Sequence, residues 1–230
     1  LETLGGALAL WLFYRARGGR LRQWEVDLAV ARDLMRPAWP LLLSGVAVMV
    51  YMRIDQVMLA RLSGAETVGY YTAATRLSEV WYFIPMTAMT SVMPSLVAAK
   101  AEDESVYRHR TQLFLRATLG LALVLVIPVA LLARPIVGWL FGPAFAPAGP
   151  VLAVQIWTTV FVFLGVAQAP WFVIENQTRL ALQRTLGGAA VNVGLNFWLI
   201  PKYGAMGAAW SSLVAQFASN LVFNGFNRAS

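Results

Sequence analysis

The feature that most limits the fold of this chain is a succession of long apolar segments. Six of them are complete and cover, approximately, residues 38–62, 66–98, 112–133, 150–172, 181–200 and 205–226. A helix needs about 20 apolar residues to cross a membrane, whereas a strand of a membrane barrel alternates over about 10 residues. The sequence therefore predicts an all-α fold, a polytopic transmembrane helical bundle that lies in a lipid bilayer.

The composition excludes the other broad classes of protein. Hydrophobic residues make up 59% of the chain and charged residues only 13%, which is about half the charged share of an average soluble domain. The formal net charge of +7 does not indicate a nucleic-acid partner, because apolar segments separate the arginines and no polar face collects them. A soluble domain, a disordered tail and a DNA-binding module are all excluded.

Nothing in the sequence favours catalysis. The chain has no cysteine and a single histidine, His109, so it lacks a thiol nucleophile, a cysteine-ligated metal and a histidine dyad. The phosphate-binding pattern GxxxxGK[ST] is absent, and the longest predicted outside loop, about residues 134–149, contains no carboxylate. We therefore expect no catalytic residue, no metal site, no cofactor and no enzymatic activity.

The region before the six spans is predicted to consist of two pieces. Residues 1–14 are typical of the end of a preceding transmembrane helix, and Leu1 is not an initiator methionine, so we expect an earlier part of the protein. Residues 15–37 repeat apolar side chains at helical spacing and predict a cytoplasmic amphipathic linker helix. This helix either lies on the inner membrane surface or is solvated between two halves of a transporter. Residues 38–226 then form a lobe of six transmembrane helices.

The distribution of basic residues predicts the orientation of these spans. If residues 15–37 are cytoplasmic, the inside segments hold thirteen of the 18 Lys and Arg residues: Arg15, Arg17, Arg20, Arg22, Arg32, Arg36, Lys100, Arg108, Arg110, Arg116, Arg179, Arg184 and Arg228. The outside loops hold only Arg61, Arg134 and Lys202. Cytoplasmic loops of membrane proteins carry an excess of Lys and Arg, so both ends of the six-helix set are predicted to face the cytoplasm.

Four charged residues fall inside the first two complete spans. They are Arg53 and Asp55 in YMRIDQVML, and Arg76 and Glu79 in ATRLSEVWY. A charge at membrane depth costs about 2.5–3.5 kcal/mol on insertion scales, so it is normally paired or faces water. At about 1.5 Å per residue, all four lie roughly 13–23 Å from a turn predicted near Gly64, and their depths overlap.

Helical geometry suggests how these charges are arranged. Arg76 and Glu79 share a helix face, whereas Arg53 and Asp55 lie about 200° apart around their helix. We therefore expect Asp55 to meet Arg76, and Arg53 to face a water-filled cavity that suits an anionic substrate. Arg53 and Arg76 are candidate substrate-binding residues, and Asp55 and Glu79 are candidates for an ion pair or for ion coupling. The alternative is a purely architectural network of ion pairs that joins the two helices.

The last two spans carry stripes of uncharged polar residues at helical spacing. One stripe comprises Thr185, Gly188, Asn192 and Asn196, and the other comprises Ser212, Gln216 and either Ser219 or Asn220. Such side chains either bind sugar hydroxyls in a lumen or form hydrogen bonds between helices. Asn192, Asn196 and Gln216 are the candidate substrate-binding residues of these stripes.

Four stretches of the sequence resemble a known family. RPAWPLLLSGVAVMVYMRIDQVML and VGYYTAATRLSEVWYFIPMTAMTSVMPSL resemble the seventh and eighth spans of polysaccharide (O-antigen type, lipid-linked oligosaccharide) flippases. LFGPAFAPAGPVLAVQIWTTVFVFLGVAQAPWFVIEN and NVGLNFWLIPKYGAMGAAWSSLVAQ resemble their tenth to twelfth spans. These flippases belong to the multidrug/oligosaccharidyl-lipid/polysaccharide exporter superfamily.

The resemblance implies a fold and a function. The fold is a twelve-helix transporter with two six-helix lobes, of which this chain holds the C-terminal lobe and lacks the N-terminal one. The function is to move an undecaprenyl-pyrophosphate-linked glycan across the bacterial inner (cytoplasmic) membrane by alternating access, for O-antigen and lipopolysaccharide synthesis. Arg53, in the matching MRIDQ stretch, would contact the pyrophosphate or acidic sugars, and Glu79, in RLSE, is a candidate for cation coupling.

Three other functions are considered. A multidrug exporter of the same superfamily would require an acidic cavity, and Arg53 argues against it. A membrane glycosyltransferase or polymerase would require a large outside loop with catalytic carboxylates. A purely structural membrane subunit has no use for charges at membrane depth.

Overall fold

The computed structural model describes residues 11, 13, 14 and 28–222, and these are helical almost throughout. The helices are α1 (Leu28–Leu62), α2 (Gly64–Glu79), α3 (Phe83–Glu102), α4 (Glu104–Leu131), α5 (Ala133–Phe141), α6 (Ala148–Gln155), α7 (Thr158–Ile174) and α8 (Thr178–Phe217). A 3₁₀ turn, Val80–Tyr82, joins α2 to α3, and a π-helical turn, Ala218–Val222, follows α8. The described part contains no strand, so the predicted all-α fold is confirmed.

The chain divides into two compact units, residues 1–38 and residues 39–230. The predicted helix end at 1–14 lies almost entirely outside the described residues, as does the predicted linker up to residue 27. From Leu28 to Ala38 the first unit is helical. All residues of the candidate site belong to the second unit.

Three helical stretches of the described part are long and apolar enough to cross a membrane: Gly64–Glu102, Glu104–Leu131 and Ala148–Ile174. They coincide with the second, third and fourth predicted spans. The other three predicted spans fall on α1 and α8. The protein is thus a multi-pass helical membrane protein, and the count of six spans stays a prediction.

Two glycine turns lie together at one end of the second unit. Gly64 connects α1 to α2 with a φ of 84°, and Gly204 breaks α8 into two arms, residues 178–203 and 205–217, with a φ of 54°. A positive φ is routinely adopted only by glycine. A Cβ atom on Gly204 would lie 3.3 Å from Cγ2 of Thr67, at the start of α2. The α1–α2 hairpin and the hairpin formed by the two arms of α8 therefore turn side by side.

At the opposite end of this unit, an ion-pair network joins α3, α4 and the turn after α7. Nζ of Lys100, in the last turn of α3, lies 2.8 Å from Glu104 at the start of α4 and 2.7 Å from Glu175 just after α7. Lys100 also lies over the ring of Tyr107, 4.9 Å from its centroid. The turns after α3 and after α7, which the sequence predicts on the cytoplasmic side, are thus in contact.

The region predicted as an outside loop, about residues 134–149, is mostly helical. It forms α5, a 3₁₀ turn at Pro143–Phe145 and the start of α6. Ala133 and Val137 recur one turn apart and are buried, and α5 ends at Gly142, which has a φ of 81°. The sequence does not predict α5, because this short apolar helix lies beyond the end of α4 and is too brief to be recognised as a span, and the place of the segment outside the membrane stays a prediction.

The core of the second unit is packed from aromatic, aliphatic and small side chains of α1, α2 and α4 to α8. Its largest fully buried members include Phe163, Leu59, Leu152, Ile156 and Ile200. At Gly188, a Cβ atom would lie 2.8 Å from Cβ of Ser219 in the π-helical turn and 3.5 Å from the backbone oxygen of Ala215, so the first arm of α8 packs closely against the end of the second. Small residues allow transmembrane helices to approach each other in this way.

Candidate functional site

Asp55 is the acidic side chain buried at the centre of the second unit. It lies on α1 and is 4% exposed, whereas Arg53, two residues earlier, is exposed. This difference confirms the separation of about 200° that the helical wheel predicts for the two side chains. α1 therefore presents the carboxylate to its neighbours and the guanidinium to the surface of the described part.

Three neutral donors from two other helices surround the Asp55 carboxylate. Its Oδ2 accepts hydrogen bonds from the Tyr71 hydroxyl at 2.6 Å and from the Ser212 hydroxyl at 2.5 Å. Its Oδ1 accepts a hydrogen bond from Nδ2 of Asn196 at 2.5 Å, and that nitrogen also lies 3.2 Å from Oδ1 of Asn192. We call Asp55, Tyr71, Asn196 and Ser212 the Asp55 cluster.

The two glycine turns set the depth of the Asp55 cluster. Asn196 and Ser212 each lie eight residues from Gly204, on opposite arms of α8. Asp55 lies nine residues before Gly64, and Tyr71 lies seven residues after it. At about 1.5 Å per residue, all four side chains start some 10–14 Å from the turns, near the middle of a hydrocarbon layer about 30 Å thick.

A narrow polar cavity of about 30 Å³ adjoins the cluster. Besides Asp55, Tyr71 and Ser212, it is lined by Thr75, Glu79, Tyr82, Gln155, Thr158 and Gln216. A polar cavity of this size has room for about one or two water molecules or a small ion, but not for a sugar ring. The cavity thus brings together two predicted site residues of α2 and α8, Glu79 and Gln216, with Asp55.

The lining of this cavity is acidic and rich in oxygen atoms. Within the described part of the chain, neither Asp55 nor Glu79 has a basic nitrogen within 4.0 Å. Gln155 is 5% exposed, and its Oε1 has no hydrogen-bond partner among the described residues. Two carboxylates and an amide oxygen without a donor form a set of acceptors that suits a cation.

The expected ion pair between Asp55 and Arg76 does not form. Asp55 is bound by its three neutral donors, while Arg76 is exposed. Depth explains the difference, because the residue of α2 level with Asp55 is Tyr71, and Arg76 lies five residues further along the helix. Five residues correspond to about 7.5 Å along the axis and about 140° around it.

The remaining predicted site residues fall into two groups. Arg53 and Arg76 are exposed and do not line the cavity. Asn192 and Asn196 are fully buried, and Asn196 donates to Asp55, which matches the interpretation of the polar stripe as hydrogen bonding between helices. Whether any of these four side chains contacts a substrate stays a prediction.

Sequence reasoning missed five polar residues of the site: Tyr71, Thr75, Tyr82, Gln155 and Thr158. Tyr71 donates to Asp55, and Gln155 and Thr158 line the cavity from α6 and α7. Tyr71 and Asp55 lie at nearly equal distances from Gly64 along the chain, and this similarity could have identified Tyr71 as a partner of Asp55. Gln155 and Thr158 lie in an apolar span without a charge nearby, and no sequence signal assigns them to Asp55.

Comparisons with known proteins bear on the identity of the chain. A family model described as "Polysaccharide biosynthesis protein" matches residues 2–150. The probable flippase AglR of Haloferax volcanii is 26% identical over 183 residues, which are 76% of this chain and 37% of that protein.

A solved structure has a similar fold. It is the outward-facing conformation of a multidrug resistance MATE family transporter of the MOP superfamily, with a TM-score of 0.71 at 18% identity. The superposition covers 92% of this chain and 48% of that one. The chain therefore spans less than half the length of the proteins it matches.

Proposed function

Because the chain belongs to the family of polysaccharide biosynthesis proteins and has the fold of a MOP-superfamily transporter, we propose that it is one lobe of a flippase for lipid-linked oligosaccharides. The observation that carries this proposal is the arrangement of charge at membrane depth. Neutral donors satisfy Asp55, and Arg53 and Arg76 are left exposed without a carboxylate within 4.0 Å in the described part.

The two arginines are the proposed substrate contacts. An exposed guanidinium at this depth is costly against lipid and is stable only where it faces water or an anion. Arg53 and Arg76 therefore face a central cavity between this lobe and the rest of the protein. A guanidinium binds phosphate oxygens through two parallel hydrogen bonds, so the pyrophosphate of an undecaprenyl-linked glycan is the proposed ligand.

Asp55 and Glu79 are the proposed ion-coupling residues. The cavity that they line is acidic and small, and secondary transporters hold their coupling ions near the bilayer midplane, which is the depth of the Asp55 cluster. Because the Asp55 cluster joins α1, α2 and both arms of α8, a cation that enters or leaves would change how these helices pack. That coupling would drive alternating access, with the other lobe forming the opposite wall of the cavity.

One relative supports this proposal, because AglR is described as a probable flippase. A protein that flips a lipid-linked glycan from the inner to the outer leaflet would lie in the cytoplasmic membrane. We assign this chain to a bacterial inner membrane and to the synthesis of O-antigen or a related polysaccharide. No nucleic acid takes part in the proposed function.

A multidrug exporter is the second candidate, because the solved structure with a similar fold is a multidrug transporter. Such an exporter needs an acidic cavity large enough for an organic cation. The acidic cavity of this chain measures about 30 Å³ and suits an inorganic cation instead. The membrane glycosyltransferase is less well supported, since the region between α4 and α7 has no carboxylate.

Genetic complementation tests the proposed function. Cells that lack the full-length gene should accumulate lipid-linked oligosaccharide in the inner leaflet, and the wild-type gene should restore surface polysaccharide. The variant Arg53→Ala should reach the membrane at normal levels but restore less than a tenth of the polysaccharide. Arg61→Ala, which removes an exposed arginine from the last turn of the same helix, is the matched control and should restore it fully. Full activity of Arg53→Ala would remove the basis of the proposal.

A further inference from the structure

A groove and a charge lie in one seam between α7 and the two arms of α8, residues 178–203 and 205–217. The groove has a volume of about 290 Å³ and is apolar, lined by Trp157, Phe161, Leu213, Val214 and Phe217. The rings of Phe161 and Phe217 meet edge to face at 5.8 Å. Trp157, Val214 and Phe217 are 38–46% exposed in the described part, so the groove is open on its outer side.

Arg184, on the first arm of α8, carries the charge in this seam. Its Nη1 donates to Oε1 of Gln168 at 2.5 Å, and its guanidinium carbon lies 4.8 Å from the ring centroid of Phe172. Its Nε is buried and has no acceptor among the described residues. In that part of the chain no carboxylate lies within 4.0 Å of the guanidinium, so its positive charge is not neutralised by the protein.

The groove and the guanidinium adjoin each other. Gly165 follows Phe161 by one helical turn, and a Cβ atom on Gly165 would lie 3.1 Å from Oδ1 of Asn220 and 3.7 Å from Nη2 of Arg184. Ser219, two residues after Phe217, donates its hydroxyl to the backbone oxygen of Arg184 at 3.2 Å. The apolar groove is therefore adjoined at one end by polar groups, which include the positively charged guanidinium of Arg184.

The dimensions of the seam match one leaflet of a bilayer. Arg184 lies six residues from the start of α8 at Thr178, which places it about 9 Å inside the helix end. Trp157 and Gly165 lie eight residues apart, about 12 Å, whereas the hydrocarbon of one leaflet is about 15 Å thick. A lipid with its headgroup at Arg184 would have an acyl chain long enough to extend along the groove.

We propose that this seam binds an anionic phospholipid, with its phosphate on Arg184 and an acyl chain in the groove. A guanidinium suits phosphate oxygens as a charged hydrogen-bond donor, and apolar walls next to it suit a chain that is covalently joined to that phosphate. A free aqueous phosphate would leave the groove unfilled. The site is separate from the Asp55 cavity, since Gln155 and Thr158 line that cavity from other faces of α6 and α7. The assignment does not depend on the proposed transport function.

Native mass spectrometry of the full-length protein tests this site. The purified protein is titrated with phosphatidylglycerol, which is anionic, and with phosphatidylcholine, which is zwitterionic. The wild type should bind the anionic lipid more tightly, and Arg184→Gln should weaken that binding about tenfold or more, because a charged hydrogen-bonding group is lost. Arg179→Gln, which removes an exposed arginine from the first turn of the same helix, is the control and should leave binding unchanged within about twofold.

A second variant tests the groove without touching the charge. Val214→Trp fills the groove, so it should weaken phosphatidylglycerol binding about as much as Arg184→Gln does. If Arg184→Gln does not fold, Val214→Trp alone tests whether the lipid binds in this seam. Equal affinity of the wild type for both lipids would overturn the assignment, as would unchanged binding in a folded Val214→Trp protein. Two further results would overturn the assignment. One is that polyprenyl pyrophosphate, but no phospholipid, displaces the bound lipid. The other is that a photo-crosslinker at position 214 reacts with the remaining half of the protein, which would then fill the groove.

Discussion

At the scale of single residues, the partners of Asp55 show what a buried carboxylate needs in a membrane protein. Burial of an unpaired charge costs several kcal/mol, and three hydrogen-bond donors within 2.6 Å compensate for that cost without a basic residue. The sequence predicts that Asp55 and Arg53 lie on opposite helix faces, because that depends only on helical geometry. It does not predict Tyr71 or Ser212 as partners, because their positions depend on how separate helices pack.

The hydroxyl of Tyr71 can be removed while its buried ring is kept. Tyr71→Phe deletes a donor to Asp55 and should destabilise the folded protein by about 1.5–3 kcal/mol, the range for hydrogen bonds to charged groups. Tyr70→Phe is the matched control, because the neighbouring hydroxyl binds Glu66 at the surface of the described part. Thermal unfolding of the two variants in detergent checks this. A Tyr71→Phe protein as stable as Tyr70→Phe would show that the Asp55 cluster contributes little to folding.

At the scale of elements, glycines decide how the helices meet. Gly204 allows α8 to reverse, and the first arm then packs against the end of the second where Gly188 faces Ala215 and, in the π-helical turn, Ser219. The sequence predicts close packing at Gly188 from its place in a stripe of small and polar residues. It does not predict α5, because nine apolar residues are too few for their periodicity to distinguish a short helix from a loop.

A methyl group added to the interface between the two arms should be costly. At Gly188, an added Cβ would lie 2.8 Å from Cβ of Ser219, so Gly188→Ala should lower the free energy of unfolding by about 1–3 kcal/mol. Gly194→Ala lies on the same arm with no atom within 4 Å of the added Cβ, and it should be neutral or stabilising. Thermal unfolding of both variants side by side measures the difference, and similar melting temperatures would contradict the close packing.

The cap of α4 should be sensitive to acid. Hydrogen bonds from Ser105, whose backbone N–H donates to Oδ1 of Asp103 at 2.6 Å, hold the pKa of Asp103 below its ordinary value of 3.8. The ionised cap therefore stabilises the helix start above about pH 4, and this contribution is lost as the pH falls through the lower folded-state pKa. Asparagine caps helices about as well as aspartate and does not titrate.

Hydrogen exchange at the first turn of α4 checks this dependence. Between about pH 5 and pH 3, protection should fall in the wild type and stay constant in Asp103→Asn, after correction for the intrinsic exchange rate at each pH. An equal loss of protection in both proteins would place the acid-sensitive group elsewhere.

At the scale of the whole molecule, the loops separate into two ends. The turns at Gly64 and Gly204 contact each other at one end, and Lys100 and Glu175 join the other. The distribution of Lys and Arg predicts the same grouping, since both arrangements follow from helices that cross one membrane alternately. The polar cavity could not be predicted in this way, because it requires residues from α1, α2, α6, α7 and α8 together.

Thiol labelling tests the orientation, and the absence of cysteine from this chain makes the background clean. Ala144→Cys, in the exposed turn after α5, should react with a membrane-impermeant maleimide on intact cells. Gln177→Cys, in the exposed turn before α8, should react only after permeabilisation. Any cysteines in the rest of the full-length protein are replaced first. The opposite pattern, or labelling of both positions from outside, would contradict the predicted topology.

The most direct test of the proposed function is transport by the purified full-length protein in proteoliposomes that contain a lipid-linked oligosaccharide on polyprenyl pyrophosphate. Movement of the glycan to the opposite leaflet is measured by its accessibility to an added glycosidase. The wild type and Arg61→Ala should move the glycan in response to a sodium or proton gradient, Arg53→Ala should be at least tenfold slower, and Asp55→Asn should no longer respond to the gradient. No movement by the wild type, or equal rates for Arg53→Ala and Arg61→Ala, would contradict the assignment of this chain to a lipid-linked oligosaccharide flippase.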